Sequence, residues 1–195
     1  MSQGFSPDDL IACYRRGVFP MADSRDDDFF YLVEPKLRGV LPLDRLHISK
    51  SMQKFRKKTK LSVTLNQDFS AVINACATHH DGTWISHSIQ RLYTQLHERG
   101  EAHSVEVWDE TKLVGGLYGV TQGRAFFGES MFSRQTNASK LALIHLVERL
   151  NSRDFLLLDT QFLTEHLKSM GAMEITQTHY LKKLNKALET DARFD

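Results

Sequence analysis

The sequence predicts an α/β (α+β) fold, in which a mixed β-sheet is flanked by helices and preceded by a short N-terminal extension. Residues 103–132 carry apolar side chains with a period of two, in three segments separated by turn residues, which is typical of strands. Residues 69–96 carry them at the spacing of amphipathic helices. Residues 137–159 join a helical pattern to a continuous apolar run, which indicates a helix followed by a buried strand.

The composition is that of an ordinary globular protein. The 195 residues are enough for one domain with a core, and 41% are hydrophobic and 25% charged. A net charge of +1 requires neither a nucleic acid nor a membrane as partner. The two cysteines, Cys13 and Cys76, are far apart, which argues against a disulfide framework and a zinc site. Because the sequence has no signal-peptide pattern and no apolar run of about 20 residues, we expect a cytoplasmic protein outside the membrane.

The first segment contains a helix and little else that is regular. Ser6–Asp9 supplies a capping serine, a proline for the first helical position and acids for the first turn. An irregular acidic stretch and an extended segment follow, over residues 23–41. We expect residues 1–45 to form a small N-terminal extension packed on a main domain of residues 46–195.

The main domain should alternate between helices and strands. The predicted elements are, in order, a helix at 49–58, a strand at 61–65, helices beginning near 69 and 89, strands at 105–107, 113–120 and 124–132, a helix from 137, a strand at 155–159, a helix at 164–170, a strand at 173–175 and a helix at 178–188. An antiparallel meander that leads into a βαβ unit is similar to the Gcn5-related N-acyltransferase-like layout. That likeness concerns the fold and carries no information about the substrate.

Glu129 is a candidate functional residue because it interrupts an apolar strand. On a regular strand, Phe127, Glu129 and Met131 share one face. A carboxylate that faces inwards between two apolar side chains is costly to bury without a partner. The alternative is a glutamate on an edge strand, in contact with water.

Asp159 and Gln161 form a second polar group, at the end of the buried strand. They are two residues apart and therefore point to the same side. Ligands of open α/β sheets collect at the carboxyl ends of strands, which is where Asp159 lies. From the residues alone, it is equally consistent that Asp159 begins a turn or caps the next helix.

Trp84 and a basic helix are candidates for contact with a nucleic acid. Trp84 lies in a polar loop, where it is either a cover over the core or a platform on which a base stacks. The helix at 49–58 has no acidic residue, so its cations form either a solvated face or a patch that contacts phosphates. The lysines concerned are Lys50, Lys54, Lys57 and Lys58.

Three further motifs bear on whether the chain binds a metal, a dinucleotide or CoA. His79 and His80 have no third ligand at a metal-site spacing, so no metal is expected. Residues 115–119 carry three glycines inside a strand, which favours a close backbone approach or a bulge. Residues 133–137 contain no glycine, and an acetyl-CoA enzyme of this layout normally wraps the pyrophosphate in a glycine-bearing loop there.

Eight short motifs follow one another along the chain. They are Tyr14–Pro20, Leu46–Ser49, Gly82–Ile85, Glu106–Trp108, Leu113–Gly119, Gly128–Arg134, Asn137–Lys140 and Asp159–Gln161. Together they resemble the leucyl/phenylalanyl-tRNA–protein transferase family. The resemblance spans nearly the whole chain, and eight motifs in the same order are far more specific than any one of them.

The resemblance implies a reaction and its partners. Such enzymes take leucine, phenylalanine or methionine from the aminoacyl-tRNA. They join it to the α-amino group of proteins that begin with arginine or lysine, which marks these proteins for degradation by the N-end rule pathway. The implied partners are therefore aminoacyl-tRNA and protein substrates. No cofactor or metal is implied, and we expect a monomer.

The resemblance also implies site residues. Asp159 and Gln161 match the family's reaction centre, and Glu129 matches a residue beside it. Trp84 matches the contact to the terminal adenosine, and Tyr31 is the aromatic residue nearest to where other members carry an aromatic pair. The pocket for the amino-acid side chain is implied to be lined by Leu117, Met131, Leu143 and Leu146.

Two other functions stay open at this point. One is a CoA-dependent N-acetyltransferase on the same layout, which the glycine-free connection at 133–137 disfavours. The other is a non-catalytic tRNA-binding module that uses the basic helix and Trp84.

Overall fold

The computed structural model describes residues 4–27, 29–78 and 82–195, which form both helices and strands. The helices are α1 (Pro7–Arg15), α2 (Lys50–Lys58), α3 (Phe69–Thr78), α4 (His87–Glu98), α5 (Ala138–Ser152), α6 (Glu165–Ser169) and α7 (Gln177–Ala187). The strands are β1 (Phe19–Met21), β2 (Tyr31–Val33), β3 (Leu37–Val40), β4 (Ser62–Leu65), β5 (Ala102–Asp109), β6 (Lys112–Gln122), β7 (Ala125–Ser133), β8 (Leu157–Gln161) and β9 (Met173–Thr176).

Seven strands form one mixed sheet. Their order is β4-β5-β6-β7-β8-β3-β9, and every neighbouring pair is antiparallel except β7 and β8, which are parallel. The predicted meander is β5-β6-β7, and the predicted βαβ unit is β7-α5-β8. The prediction of a mixed sheet flanked by helices is therefore confirmed.

Several helices begin at a serine or threonine whose side chain accepts a hydrogen bond from a backbone N–H of the first turn. Without such a cap, the N–H groups of the first turn have no partner within the helix. In α1 the cap is reciprocal, because Ser6 also donates its backbone N–H to Asp9. The capping residues are Ser6, Ser49, Ser86, Thr164 and Thr176.

The short strands of the first forty residues differ most from the prediction. β1 and β2 pair with each other, and the pattern of the sequence did not predict them as a pair because each has only three residues. β3 lies inside the main sheet, between β8 and β9. The boundary at residue 45 stays a prediction, but β3 precedes it and still contributes to the sheet.

The two faces of the sheet carry separate apolar clusters. On β6, Tyr118 belongs to the cluster that contains α3 and α4, whereas its neighbour Leu117 belongs to the cluster that contains α5. This alternation follows from the period of two in a strand, so that helices cover both faces. Across the described residues, none of the helices has both the length and the apolar character needed to cross a membrane.

A β-bulge in β7 re-aims its side chains. Tyr118 of β6 lies opposite Ser130 and Gly119 lies opposite Gly128, so Glu129 is the extra residue between them. The bulge shifts the alternation of the strand by one residue. The prediction that Met131 shares a face with Phe127 is therefore wrong, because Phe127 packs in the α3/α4 cluster and Met131 packs against the α5 cluster.

Gly119 makes this bulge possible. A Cβ atom at this position would overlap the ring of Phe126 and the carbonyl oxygen of Phe127. The expected close backbone approach among the glycines of residues 115–119 is thus confirmed.

Gly119→Ala should lower the free energy of unfolding by about 1–3 kcal/mol, because the added methyl group overpacks the junction of β6 and β7. Urea unfolding followed by circular dichroism measures this loss. Gly128→Ala is the matched control in the facing strand, where the nearest atom to the new Cβ is a carbonyl oxygen at 3.3 Å. Equal losses in the two variants would contradict the packing argument.

Candidate active site

An apolar cavity of about 570 Å³ opens where β7 and β8 separate. The two strands pair only as far as Phe127 and Asp159, and the residues beyond that point line the cavity instead. The structure brings together at its wall all four residues that the resemblance implies for the amino-acid pocket. They are Leu117, Met131, Leu143 and Leu146.

A carboxylate and an amide form the polar part of the same wall. Glu129 and Gln161 both line the cavity, and Gln161 Nε2 donates a hydrogen bond of 2.8 Å to Glu129 Oε1. Tyr93 Oη donates to Glu129 Oε2 at 2.7 Å, and Tyr14 Oη lies 2.5 Å from Tyr93 Oη. A chain of hydrogen bonds thus runs from the core of α1 and α4 to the cavity.

Burial raises the pKa of the Glu129 carboxyl to about 7. The hydrogen bonds from Tyr93, Tyr14 and Gln161 act in the opposite direction, because they stabilise the anion. Glu129 is only 8% exposed, so water stabilises its charged form little. A carboxyl with this pKa is suited to proton transfer at physiological pH.

Asp159 lies behind the wall and is fully buried, at 0% exposure. Arg38 holds it in a bidentate ion pair, with Nη2 2.7 Å from Oδ2 and Nε 2.9 Å from Oδ1. Tyr180 Oη also donates to Oδ2, at 2.7 Å. The buried charge of Asp159 is therefore paired and hydrogen-bonded, as a stable interior carboxylate requires.

The Arg38 guanidinium itself packs against two aromatic rings. It lies 4.6 Å from the ring centroids of both Phe19 and Tyr180, and its Nη1 donates to the carbonyl oxygen of Gly17 at 3.0 Å. Burial alone lowers the pKa of Arg38, but the charge and hydrogen bonds of Asp159 outweigh it and raise the pKa above its ordinary value. Arg38 is thus a permanent cation beneath the cavity.

Gln161 adopts a backbone conformation that is rare for its residue type. Its φ is +59°, in the left-handed region. Asp159 Oδ1 accepts the Gln161 backbone N–H at 2.8 Å, which stabilises this conformation. The Gln161 side chain donates to Glu129. Of the two alternatives for Asp159, the helix cap is wrong, since Thr164 caps α6, whereas Asp159 does begin a turn by accepting the N–H two residues on.

The remaining predicted residues lie at different distances from this centre. Trp84 lines the cavity. Tyr31 is 47% exposed on β2 and is not among the described residues of the cavity wall. The predicted lysine patch is exposed on α2, namely Lys50, Lys54, Lys57 and Lys58. His79 and His80 lie outside the described residues, among which no group of three metal-binding side chains is found.

Reasoning from the sequence missed the residues that surround the acids. Tyr14, Tyr93, Tyr180 and Arg38 are all buried and contact Glu129 or Asp159 directly or through one another. One feature of the sequence could have indicated Arg38, because it stands within the short apolar strand Leu37–Val40. A buried acid needs a cation, and a cation within an apolar strand is a candidate partner. The tyrosines left no signal that distinguishes them from ordinary core residues.

The sheet opens between two parallel strands onto an apolar cavity with a carboxylate and an amide at its wall. This arrangement is suited to an apolar ligand group with acid–base chemistry beside it. The family described as "Leucyl/phenylalanyl-tRNA protein transferase" matches residues 40–185, and the N-terminal domain of the same family matches residues 4–35. The chain belongs to the leucyl/phenylalanyl-tRNA–protein transferase family.

Individual relatives support this membership over the whole chain. The leucyl/phenylalanyl-tRNA–protein transferase of Maricaulis maris is 53% identical, with 98% of this chain and 90% of the relative covered. The protein of the same name from Caulobacter vibrioides is 54% identical, with coverage of 100% and 91%. The protein of the same name from Hyphomonas neptunium is 52% identical, with coverage of 100% and 76%.

Arg38→Gln should lower the free energy of unfolding by about 3–5 kcal/mol, because it leaves the Asp159 charge buried without its cation. Arg56→Gln is the matched control. Arg56 also pairs with a carboxylate at 2.7 Å, but it is 30% exposed and its partner Glu148 is 49% exposed, so a loss of at most about 1 kcal/mol is expected. Urea unfolding of both variants measures the difference, and similar losses would contradict the assignment of Arg38 as a buried structural cation.

Proposed function

We propose that this chain transfers leucine, phenylalanine or methionine from an aminoacyl-tRNA to the α-amino group of proteins that begin with arginine or lysine. The single observation that carries the proposal is the 570 Å³ apolar cavity with Glu129 and Gln161 at its wall. The names of the three relatives support the class of reaction. The product would be marked for the N-end rule pathway, and we propose that the chain acts as a monomer in the cytoplasm.

The cavity accounts for the range of amino acids. Its apolar wall suits the side chains of leucine, phenylalanine and methionine, which differ in shape but not in polarity. An apolar pocket separates side chains that differ by one methylene by only about 1–3 kcal/mol. Tolerance of all three amino acids is therefore expected.

Catalysis would depend mainly on positioning. The aminoacyl ester is already activated, and an α-amino group with a pKa of about 7.7–8.0 has an appreciable neutral fraction at cytosolic pH. Because Gln161 Nε2 donates to Glu129, the Gln161 side-chain carbonyl is directed elsewhere and would accept a hydrogen bond from the attacking amine. Asp159 would orient Gln161 through the backbone N–H that it accepts.

The tRNA would be held at two places. Trp84, which lines the cavity, would stack on the terminal adenosine, and Tyr31 would add an aromatic contact nearby. The exposed lysines of α2 would contact phosphates of the tRNA.

The transfer assay tests the function directly. Purified protein is mixed with labelled leucyl-tRNA and a peptide that begins with arginine, and we expect labelled leucyl-peptide and free tRNA. The same peptide with an acetylated N-terminus should give none, because it has no nucleophilic amine. Transfer from acetyl-CoA instead would support the N-acetyltransferase alternative, and tRNA binding without any transfer would support a non-catalytic module.

The triple change Lys54→Glu, Lys57→Glu and Lys58→Glu should weaken tRNA binding. It should also reduce the slope of log Kd against log salt concentration by about 1 for each phosphate that the protein no longer binds. The matched control reverses three exposed lysines of another helix, Lys182, Lys183 and Lys186 of α7. Filter binding over a series of salt concentrations measures both. If the two triple variants behave alike, the α2 lysines are only a solvated face.

A further inference from the structure

The two buried carboxylates of the site differ in how many hydrogen-bond acceptor positions they have left for a substrate. Asp159 Oδ1 accepts from Arg38 Nε and the Gln161 backbone N–H, and Oδ2 accepts from Arg38 and Tyr180. A carboxylate has about four lone-pair positions, so Asp159 has none left for a substrate. Asp159 is also 0% exposed and paired with the buried cation Arg38, so its oxygens are committed to that ion pair and a substrate cannot reach them.

Glu129 is in the opposite situation. Tyr93 and Gln161 donate to its two oxygens, Tyr14 also stabilises the anion, and all three are neutral groups. Among the ion pairs of residues 4–27, 29–78 and 82–195, none involves Glu129. Glu129 also lines the cavity, so acceptor capacity remains on a carboxylate that a bound substrate can reach.

We propose that Glu129 accepts the proton of the attacking amine and returns it to the leaving ribose oxygen, while Arg38 holds Asp159 as a fixed anion that only positions Gln161. The inference rests on the proposed transferase function. In the reaction, the amine nitrogen forms a bond to the ester carbonyl carbon and loses one proton to Glu129. The bond from that carbon to the ribose oxygen then breaks, and the oxygen takes the same proton from Glu129. The products are an amide and a tRNA with a free hydroxyl group.

The surroundings of Glu129 are consistent with this role. The titratable groups that face it are Tyr14 of α1, Tyr93 of α4, Tyr118 of β6, Asp159 of β8 and, beyond Asp159, Arg38 of β3. Burial raises the pKa of each of the three tyrosines well above its usual value, so they stay neutral. Arg38 stays charged. Burial raises the pKa of the Glu129 carboxyl to about 7, so this carboxyl, unlike the three tyrosines and Arg38, titrates near neutral pH.

His166 of α6 also lines the cavity, and its Nε2 has no hydrogen-bond partner among the described residues. Burial and the charge of Lys140 lower its pKa, so it is a neutral imidazole at pH 7. It is therefore mostly uncharged at about pH 7, where the Glu129 carboxyl titrates.

The test is the pH dependence of single-turnover transfer to an arginyl peptide. In the wild type, both the amine and Glu129 must lose a proton below the Glu129 pKa of about 7, so the logarithm of the rate should rise there with a slope near 2. Between that point and the amine pKa of about 7.7–8.0 the slope should be near 1. Glu129→Gln should be slower by about 100-fold or more and should show a slope near 1 at every pH below the amine pKa.

Glu129→Gln is nearly isosteric, and its amide can still meet Tyr93 and Gln161. A merely structural role for Glu129 would therefore leave the pH slopes unchanged, and that result would overturn the inference. Wild-type protein that gives no leucyl-peptide would instead overturn the proposed function. The two failures are thus distinguishable in one experiment.

A pair of tyrosine variants provides a matched control. Tyr93→Phe removes a donor to Glu129, so the anion is less stabilised and the change of slope should move to higher pH. Tyr180→Phe removes a donor to Asp159 and should leave the change of slope where it is. A shift in Tyr180→Phe without one in Tyr93→Phe would assign the proton to Asp159 and refute the proposal.

Discussion

The buried ion pair between Arg38 and Asp159 is the interaction on which the site depends. It joins β3 to β8 across 121 residues of sequence, in a place where neither partner is accessible to water. An isolated charge in that environment would be strongly unfavourable, so each partner requires the other. The same aspartate fixes the left-handed backbone of Gln161, and the pair thereby determines where the amide of the cavity wall points.

The sheet contributes a second constraint through an irregularity. β7 and β8 are the two parallel neighbours of the sheet, and their pairing ends at Phe127 and Asp159. The bulge at Glu129 lies just beyond that point and turns the carboxylate to Tyr93 and Gln161. Bulges are common beside active sites, since one extra residue re-aims a side chain and changes which face the following residues occupy. The cavity and its polar wall therefore have one structural origin.

Much of the fold and part of the site could be predicted from local patterns. The helices and strands of residues 50–188 followed from periodicity and capping residues, because those signals act within one or two turns. Glu129 was found because it interrupts an apolar strand, Gln161 because it lies two residues from Asp159 at the end of a buried strand, and Trp84 because it stands in a polar loop. The strands β1 and β2 were not predicted as a pair, since three residues are too few to show a period.

The sequence by itself determined the family, the order of the main elements and the acid and amide residues of the site, because these depend on near neighbours or on ordered motifs. Only the tertiary structure decided that Arg38 neutralises Asp159, that a bulge separates the faces of Phe127 and Met131, and that burial brings the Glu129 pKa to about 7. Each of these depends on groups far apart in the chain that meet only when the sheet closes. Coulomb attraction and desolvation depend on distance and burial in space, and the sequence pattern contains neither.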